Sequence, residues 1–497
     1  MSRADAAVVG TGPNGLSAAV TLARAGLTVD LFESADTVGG GLRSEPLFDS
    51  DIDHDICSAV HPMAPASRFF REFDLSAHGV ELIRPEIPYA HPLEAGRAGL
   101  VHRNLDATAE RLGADGARWR RLMAPLVDHS RGVVDLMLSG QRSLPPDLPA
   151  ALSLAGRVLR HSTRLTGGSA LRTEEARALL TGVAAHAVGK LPSPSAAAVA
   201  MLLGHLAHSS GWCVPRGGSA RIAEALTADL LARGCSFHTG HEVRGLAELA
   251  GYRVVFLDIG ARSLLTVAGD ALPRGYARSL ARFRYGPGAA KADFLVSGPI
   301  PWSHPEVGRA GTVHIGGDQA AMFRQETLTQ RGVATDEPFV LVVDPAVTDP
   351  GRARPGKRPV WAYAHVPNGD TRDPVDLVQR RIERYAPGFT DTIVAARGVS
   401  AAGYEKYNPN YVGGDIGSGA MNLYQAVARP APRLDPYRTP LPGVYLCSAA
   451  TPPGPGVHGM CGYLAARSAL RREYGIRAAP DLSPSPTENT PYERETR

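Results

Sequence analysis

Lysine is nearly missing from this chain of 497 residues: four of its 53 basic side chains are lysines (Lys190, Lys291, Lys357, Lys406) and the rest are arginines. A lysine that persists in such a background is worth following, because a forked guanidinium cannot replace a compact titratable amine everywhere. Cysteine is also scarce. Its five copies (Cys57, Cys213, Cys235, Cys447, Cys461) form no CxxC or CxxxxC pair and no metal-ligand spacing. That argues against a dithiol redox centre and a cysteine-held metal, fits a reducing compartment, and leaves each thiol as a small buried apolar residue. The net charge of +4 is slight for this length and gives no reason to expect nucleic acid as a partner. No apolar run is long enough to cross a bilayer. The first strand begins within six residues of Met1, which leaves no room for a signal peptide, so a cytoplasmic protein is expected.

What is present is an ordinary globular composition, 44% hydrophobic and 21% charged, in a chain too long for one simple core. Its first 43 residues read as a dinucleotide cradle. An apolar strand (Ala6, Ala7, Val8, Val9) runs into Gly10-Thr-Gly12-Pro13-Asn14-Gly15, then a helix, a second strand ending in Glu33, and Gly39-Gly40-Gly41-Leu42-Arg43. Gly10 permits the tight turn, Gly12 lets backbone approach a pyrophosphate, and Gly15 allows close helix–strand packing. The helix then aims its N-terminal amides at the phosphates. Glu33, 23 residues after Gly10, has the spacing of a carboxylate that holds a ribose hydroxyl pair.

Along the chain, Leu16, Ala19, Val20 and Ala23 share a helix face that ends near Gly26, and residues 27–33 form a buried strand. Residues 50–105 predict short strands and loops, and 106–210 predict mostly helix. Pro215-Arg-Gly-Gly218 opens a second α/β stretch: a helix over 220–233, strands over 235–238 and 241–246, and the apolar strand 252–258. Runs at 292–296, 312–315, 339–343 and 360–366 predict an antiparallel sheet, followed by a helix over 374–385. The chain then shows a strand at 443–446, the block Pro452-Pro-Gly454-Pro-Gly456, and a helix over 459–471. From Ala478 the composition predicts disorder.

These blocks, in this order, resemble the FAD-dependent phytoene desaturase and flavin amine oxidase superfamily. Cys57-Ser-Ala-Val-His61-Pro62, Asn410-Tyr-Val-Gly-Gly-Asp415 and Tyr445-Leu-Cys-Ser-Ala make the chain most similar to the branch that includes pyridine nucleotide-disulphide oxidoreductase domain-containing protein 2. The missing cysteine pair denies it the chemistry in that name. The resemblance implies an α/β fold: a Rossmann-like doubly wound FAD domain of the glutathione-reductase type with an inserted substrate domain of antiparallel sheet plus helices. The boundaries expected are 1–65, 212–288 and 430–476 for the FAD domain, 66–211 and 289–429 for the substrate domain, and 477–497 for the tail. It further implies FAD as cofactor, held by Gly10, Gly12, Pro13, Asn14, Gly15, Glu33, Ser34, Gly40, Gly41, Leu42, Arg43, Val243 (on a strand, its backbone against the adenine), Ala449, Gly456, Val457 and His458.

The same resemblance places Lys291 near flavin N5 through a water; the alternative is an exposed lysine at a sheet edge. His61 reads as a wall of the flavin or substrate site, or as a solvated loop histidine. His458 sits in the flavin block and is a candidate for proton movement. His186, His205 and His208 read as core or surface histidines more than as catalytic groups, and Asp415 as a turn cap, with a place in the pocket lining as the alternative. Tyr404 and Tyr407 read equally as aromatic wall or packing. Arg157, Arg160 and Arg164 among leucines from Leu152 to Leu171 read as a solvated basic helix face, or as a peripheral membrane contact. The expected activity is hydride removal from a small-molecule substrate of hydrophobic character, by desaturation or amine/C–H oxidation, with flavin reoxidised by oxygen, quinone or another acceptor. A redox-neutral isomerase on reduced flavin and a non-catalytic lipid- or prenyl-binding escort are the alternatives. Oligomeric state is left open.

Overall fold

The computed structural model describes residues 4–49, 51–140, 147–162 and 171–484. Its first sheet has five parallel strands, in the order Val444–Leu446, Val254–Leu257, Ala6–Val9, Val29–Phe32, Ser236–His238. Three remote parts of the chain supply it. The central strands are apolar on both faces because helices cover both sides, the pattern a parallel sheet requires. Helix Pro13–Ala23 begins at the carboxyl ends of these strands and packs on the last helix, Met460–Glu473. A side chain at Gly462 would stand 1.9 Å from Asn14 O, so the two backbones approach too closely for anything but glycine.

The second sheet has seven strands, in the order Ile393–Val399, Gly288–Val296, Arg358–Val366, Val340–Val343, Ala310–Ile315, Ile87–Pro92, Ala98–Val101. All neighbours are antiparallel except Ala310–Ile315 beside Ile87–Pro92, which are parallel. That pair departs from the all-antiparallel expectation because Ile87–Pro92 arrives from a distant part of the chain and is not tied to its neighbour by a hairpin. Alternation along each strand sorts the side chains. Ala290, Ala292, Phe294, Val340, Val342, Ala362 and Ala364 pack toward helix Val375–Glu383, whose Val378 and Ile382 complete that core. Leu341, Val343, Trp361 and Tyr363 turn to the opposite face. Helices Glu174–Ala185 and Pro194–His208 pack with residues of that face, as the helical expectation for this region requires.

Several local expectations need correction. Residues 241–246 form no strand; after Ser236–His238 the chain runs in coil to a short turn at Leu246–Leu249, held by Glu248 accepting from the Arg244 and Gly245 amides. The basic face expected over 152–171 is a helix at Leu148–His161 in which Arg157 is not free: it donates to Leu122 O, Arg121 O and Ser153. Arg164 lies outside the described residues. The tail is not disordered over 478–484, because Leu482 is buried in the main core and Ser483 O accepts from Arg24; residues 485–497 lie outside the described residues. Among the described residues no helix is long and apolar enough to cross a membrane.

Candidate functional site

One cavity of about 1100 Å³ runs from the carboxyl edge of the parallel sheet to the face of the mixed sheet. Its first end is built from backbone. Gly10 turns through φ +93°, and a Cβ on Gly15 would lie 2.0 Å from Gly10 O, so the strand–turn–helix crossing depends on both glycines. Gly12 caps helix Pro13–Ala23 with no side chain of its own, so the first-turn amides point at the cavity edge, where the Asp258 carboxylate takes one of them, Gly15 N. Gly10, Gly12, Pro13, Asn14, Glu33, Ser34, Gly40, Gly41, Arg43, Val243, Ala449, Gly456 and Val457 all line it. Gly15 and Leu42 do not: the first lies under the turn, and the second is wholly buried in the core.

Glu33 is held in place before any ligand arrives. Its Oε2 accepts from Thr11 N (3.0 Å) and Thr11 Oγ1 (2.6 Å), and its Oε1 from Ala35 N (3.0 Å). Arg43 donates through Nη2 to Thr37 O at 2.7 Å and stands 3.4 Å from Glu33 Oε1, its guanidinium 5.6 Å from the Tyr407 ring centre. Asp258, at the end of strand Val254–Leu257, was not singled out from sequence. Its Oδ2 accepts from Gly15 N at 2.9 Å and lines the cavity at the helix N-terminus. Burial first, then the nearby Glu33 charge, push its carboxyl up to about 7, against the pull of the Gly15 amide. An acid ending a buried strand beside a glycine loop was the available signal.

The other end is built from side chains. His61, Met63, Leu203, Trp212, Thr312, Trp361 and Tyr363 line it, with Met137, Leu138 and Val158 from the helical cap. His61 Nε2 lies 2.8 Å from Ser219 Oγ, whose hydroxyl donates to Ser58 O, so the ring N–H is on Nε2 and Nδ1 is left without a partner. Burial drops the His61 imidazole to about 4, so it stands neutral at physiological pH. Among the aromatic candidates, Tyr407 lines the cavity, while Tyr404 does not and donates to Ile56 O. Asp415 caps its turn by accepting from the Gly286, Gly417 and Gly419 amides. His205 and His208 are spent in the core, on Met201 O with Ser130 and on the Trp119 indole.

Two catalytic candidates are not among the cavity-lining residues. Lys291 is neither an edge lysine nor a lining residue: it lies on the inner strand Gly288–Val296, 2.5 Å from Asp293 Oδ1 and 2.9 Å from Asp55 O, wholly buried. Its ammonium is engaged by these partners, on the sheet face that also carries the cavity-lining Trp361 and Tyr363. His458 also lies behind the wall. Its Nε2 is 3.1 Å from Gly454 O and its Nδ1 accepts from Met460 N at 3.0 Å, so both ring nitrogens hold the loop that carries Gly456. All five cysteines are free thiols, and Cys57 at the cavity wall is raised by burial, away from thiolate. Among the described residues no group of three metal-ligating side chains occurs.

Comparison with known proteins fits this geometry. The family model for flavin containing amine oxidoreductase matches residues 14–270. Mouse pyridine nucleotide-disulfide oxidoreductase domain-containing protein 2 is 24% identical over 94% of this chain and 93% of its own length. Hydroxysqualene dehydroxylase of Rhodopseudomonas palustris is 28% identical over 65% of this chain and 78% of its own length. Wild-type putrescine oxidase bound to putrescine (TM-score 0.56, 18% identity, 94% of this chain and 98% of that one) shares the fold. So does cyclohexylamine oxidase of Brevibacterium oxydans (TM-score 0.57, 15% identity, 95% and 98%). With the glycine cradle, the helix N-terminus at the cavity and the family match in agreement, the chain belongs to the flavin-containing amine oxidoreductases and is an FAD-dependent oxidoreductase.

Proposed function

We propose that the protein removes a hydride equivalent from an apolar organic molecule, the electrons passing on to oxygen, a quinone or another acceptor. The observation that carries this reading is the change of character along one continuous cavity: glycine backbone and a helix N-terminus give way to Met63, Met137, Leu138, Val158, Leu202 and Leu203. A dinucleotide suits the first surface, and an apolar small molecule the second. The relative named hydroxysqualene dehydroxylase is, by its name, an enzyme of such a molecule.

In this reading the Gly10–Gly15 turn and the following helix hold the pyrophosphate, and Glu33, already fixed by Thr11 and Ala35, takes the ribose hydroxyls. Val243 lies against the adenine from a coil segment. Arg43, gripped by Thr37 O and stacked near Tyr407, keeps a positive charge toward the phosphates and ring. Ala449, Gly456 and Val457 close over the flat ring system, and His458 serves them by bracing their loop. Bound FAD supplies the two-electron redox chemistry. The chain's own work is to orient the substrate, exclude water with its apolar wall, and offer the neutral His61 ring as a polar point on it. Lys291 acts through the buried pair with Asp293, fixing strand Gly288–Val296.

Anaerobic mixing of the FAD-loaded protein with a panel of apolar alcohols, amines and polyenes should bleach the flavin with at least one class. A panel in which only charged, compact molecules bleach it would overturn the apolar reading. A peripheral membrane contact is favoured by one observation: Leu148, Leu152 and Leu159 stand exposed on the cap helix whose Val158 lines the cavity, as does Tyr424 beside cavity-lining Leu423. Co-flotation with anionic liposomes tests it, and protein that stays at the bottom of the gradient removes it.

A further inference from the structure

On the cavity side of the mixed sheet three imidazoles stand in a row that hydride removal does not itself require. His186 caps the carboxyl end of helix Glu174–Ala185 and lines the cavity. Its Nε2 lies 2.9 Å from Nε2 of His314, the rings meeting edge to face at 4.9 Å. His314, wholly buried on strand Ala310–Ile315, has no partner for its Nδ1. That atom abuts Gly182, and so does Nδ1 of His91: a Cβ placed on Gly182 would stand 2.9 Å from each. His91 Nε2, finally, lies 2.9 Å from Gly317 O.

The far end of the row sets the protons of the near end. A carbonyl only accepts, so His91 carries its hydrogen on Nε2 and turns a bare Nδ1 toward Gly182. Burial keeps the rings neutral, lowering His91 to about 4 and His186 to about 3. A neutral His314 has one N–H to place, and two lone pairs facing one another across Gly182 would repel. Neither Nδ1 has a hydrogen-bond partner, so the rings are coupled through their lone pairs and not by a hydrogen bond; a hydrogen on His314 Nδ1 relieves that repulsion, and His314 Nε2 accepts. His186 must then donate through Nε2, which leaves its Nδ1 a bare acceptor at the cavity, where it makes no hydrogen bond with any described residue. Thr312, on the same strand face as His314, also lines the cavity with an unpartnered Oγ1.

We propose that His186 Nδ1 is the acceptor that selects substrates carrying a neutral hydroxyl on an otherwise apolar body, with His314 and His91 as the residues that fix its tautomer. The inference rests on the cavity being the substrate site and names the class of molecule that site takes. A hydroxyl is favoured over an alkylammonium because no carboxylate bears on His186 to offset the loss of water around a charge.

The test compares two isomers, 1-octanol, which donates, and heptyl methyl ether, which only accepts. Binding to the FAD-loaded full-length protein is read from tryptophan fluorescence, since the Trp212 ring meets His186 edge-on at 5.3 Å and Trp361 also lines the cavity. The alcohol should bind about fivefold tighter than the ether. His186→Leu should abolish the preference while leaving ether binding in place. Equal binding of the isomers to the native protein, or a preference that survives His186→Leu, overturns the proposal. A second measurement needs no variant: nitrogen-15 spectra of histidine-labelled protein should show His186 protonated on Nε2 alone. A proton on Nδ1 overturns the proposal. Neither readout depends on turnover, so a protein that discriminates the isomers yet bleaches with no apolar compound would overturn the redox reading while keeping this one.

Discussion

The two ends of the cavity are made by different means. The dinucleotide end is mostly main chain from a few short segments: residues 9–14, 32–35, 40, 41, 43 and 455–457 supply much of its surface, and the side chains that matter are locked by near neighbours such as Thr11 and Thr37. The substrate end gathers single side chains from His61 to Arg429, contributed by both sheets' connections and by the helical cap. A surface of backbone is set by local conformation and tolerates almost no side chain. A surface of side chains is set by tertiary packing and can be recut one residue at a time. Shared cofactor and variable substrate fit that division of labour.

The contrast is sharpest where a methyl group should be fatal. Gly15→Ala would place a carbon 2.0 Å from Gly10 O, and is expected to eliminate bound FAD, read as loss of flavin absorbance. Leu203→Ala at the other end should keep the flavin; full FAD occupancy in Gly15→Ala would erase the distinction. Next in size, Lys291→Met strands a buried carboxylate at Asp293 and should cost roughly 3–5 kcal/mol in denaturant unfolding, recovered by adding Asp293→Leu. Unchanged stability with slowed flavin reoxidation would instead place Lys291 at the cavity.

Smaller again, Glu33→Ala should weaken FAD retention by more than about tenfold, since hydrogen bonds to a charged group are worth about 1.5–3 kcal/mol. Complete retention through dialysis would contradict the ribose role. The subtlest prediction sets the ends against each other in pH. Asp258 is raised to about 7, so its contribution to apoprotein stability is lost as pH climbs from about 4 to 7, and Asp258→Asn should flatten that limb of the melting profile. His61 and His186, lowered to about 4 and about 3, act oppositely: stability should fall as pH drops from 6.5 toward those values. A melting temperature flat from pH 4 to 8 in both the native protein and Asp258→Asn would dissolve the contrast.

The same division explains what could be read from the chain in advance. Strand Ala6–Val9, the glycine turn, helix Pro13–Ala23 and the position of Glu33 obey local rules of spacing and steric fit, and each is found where those rules put it. The strands near 292–296, 312–315, 339–343 and 360–366 announced themselves by apolar runs, but their order did not, because the parallel insertion of Ile87–Pro92 is decided by packing between remote segments. Lys291 is legible as unusual, and its strand is visible; its burial and its pairing with Asp293, two residues further on the same strand face, depend on packing that the sequence does not display. His186 read as ordinary because what distinguishes it, contact with His314 across 128 positions of sequence, leaves no local mark.

The parallel sheet has a consequence for how the protein is made. Its edge strand Val444–Leu446 and the helix that seals the cradle, Met460–Glu473, leave the ribosome long after its centre is complete at Leu257. At roughly 5–20 residues per second that gap lasts on the order of ten to forty seconds. Through that interval the nascent chain carries a half-built nucleotide site with one sheet edge bare. A message that ends before Glu473 therefore yields a colourless, aggregation-prone fragment and no partially active enzyme, and translation must pass that residue before FAD can be loaded.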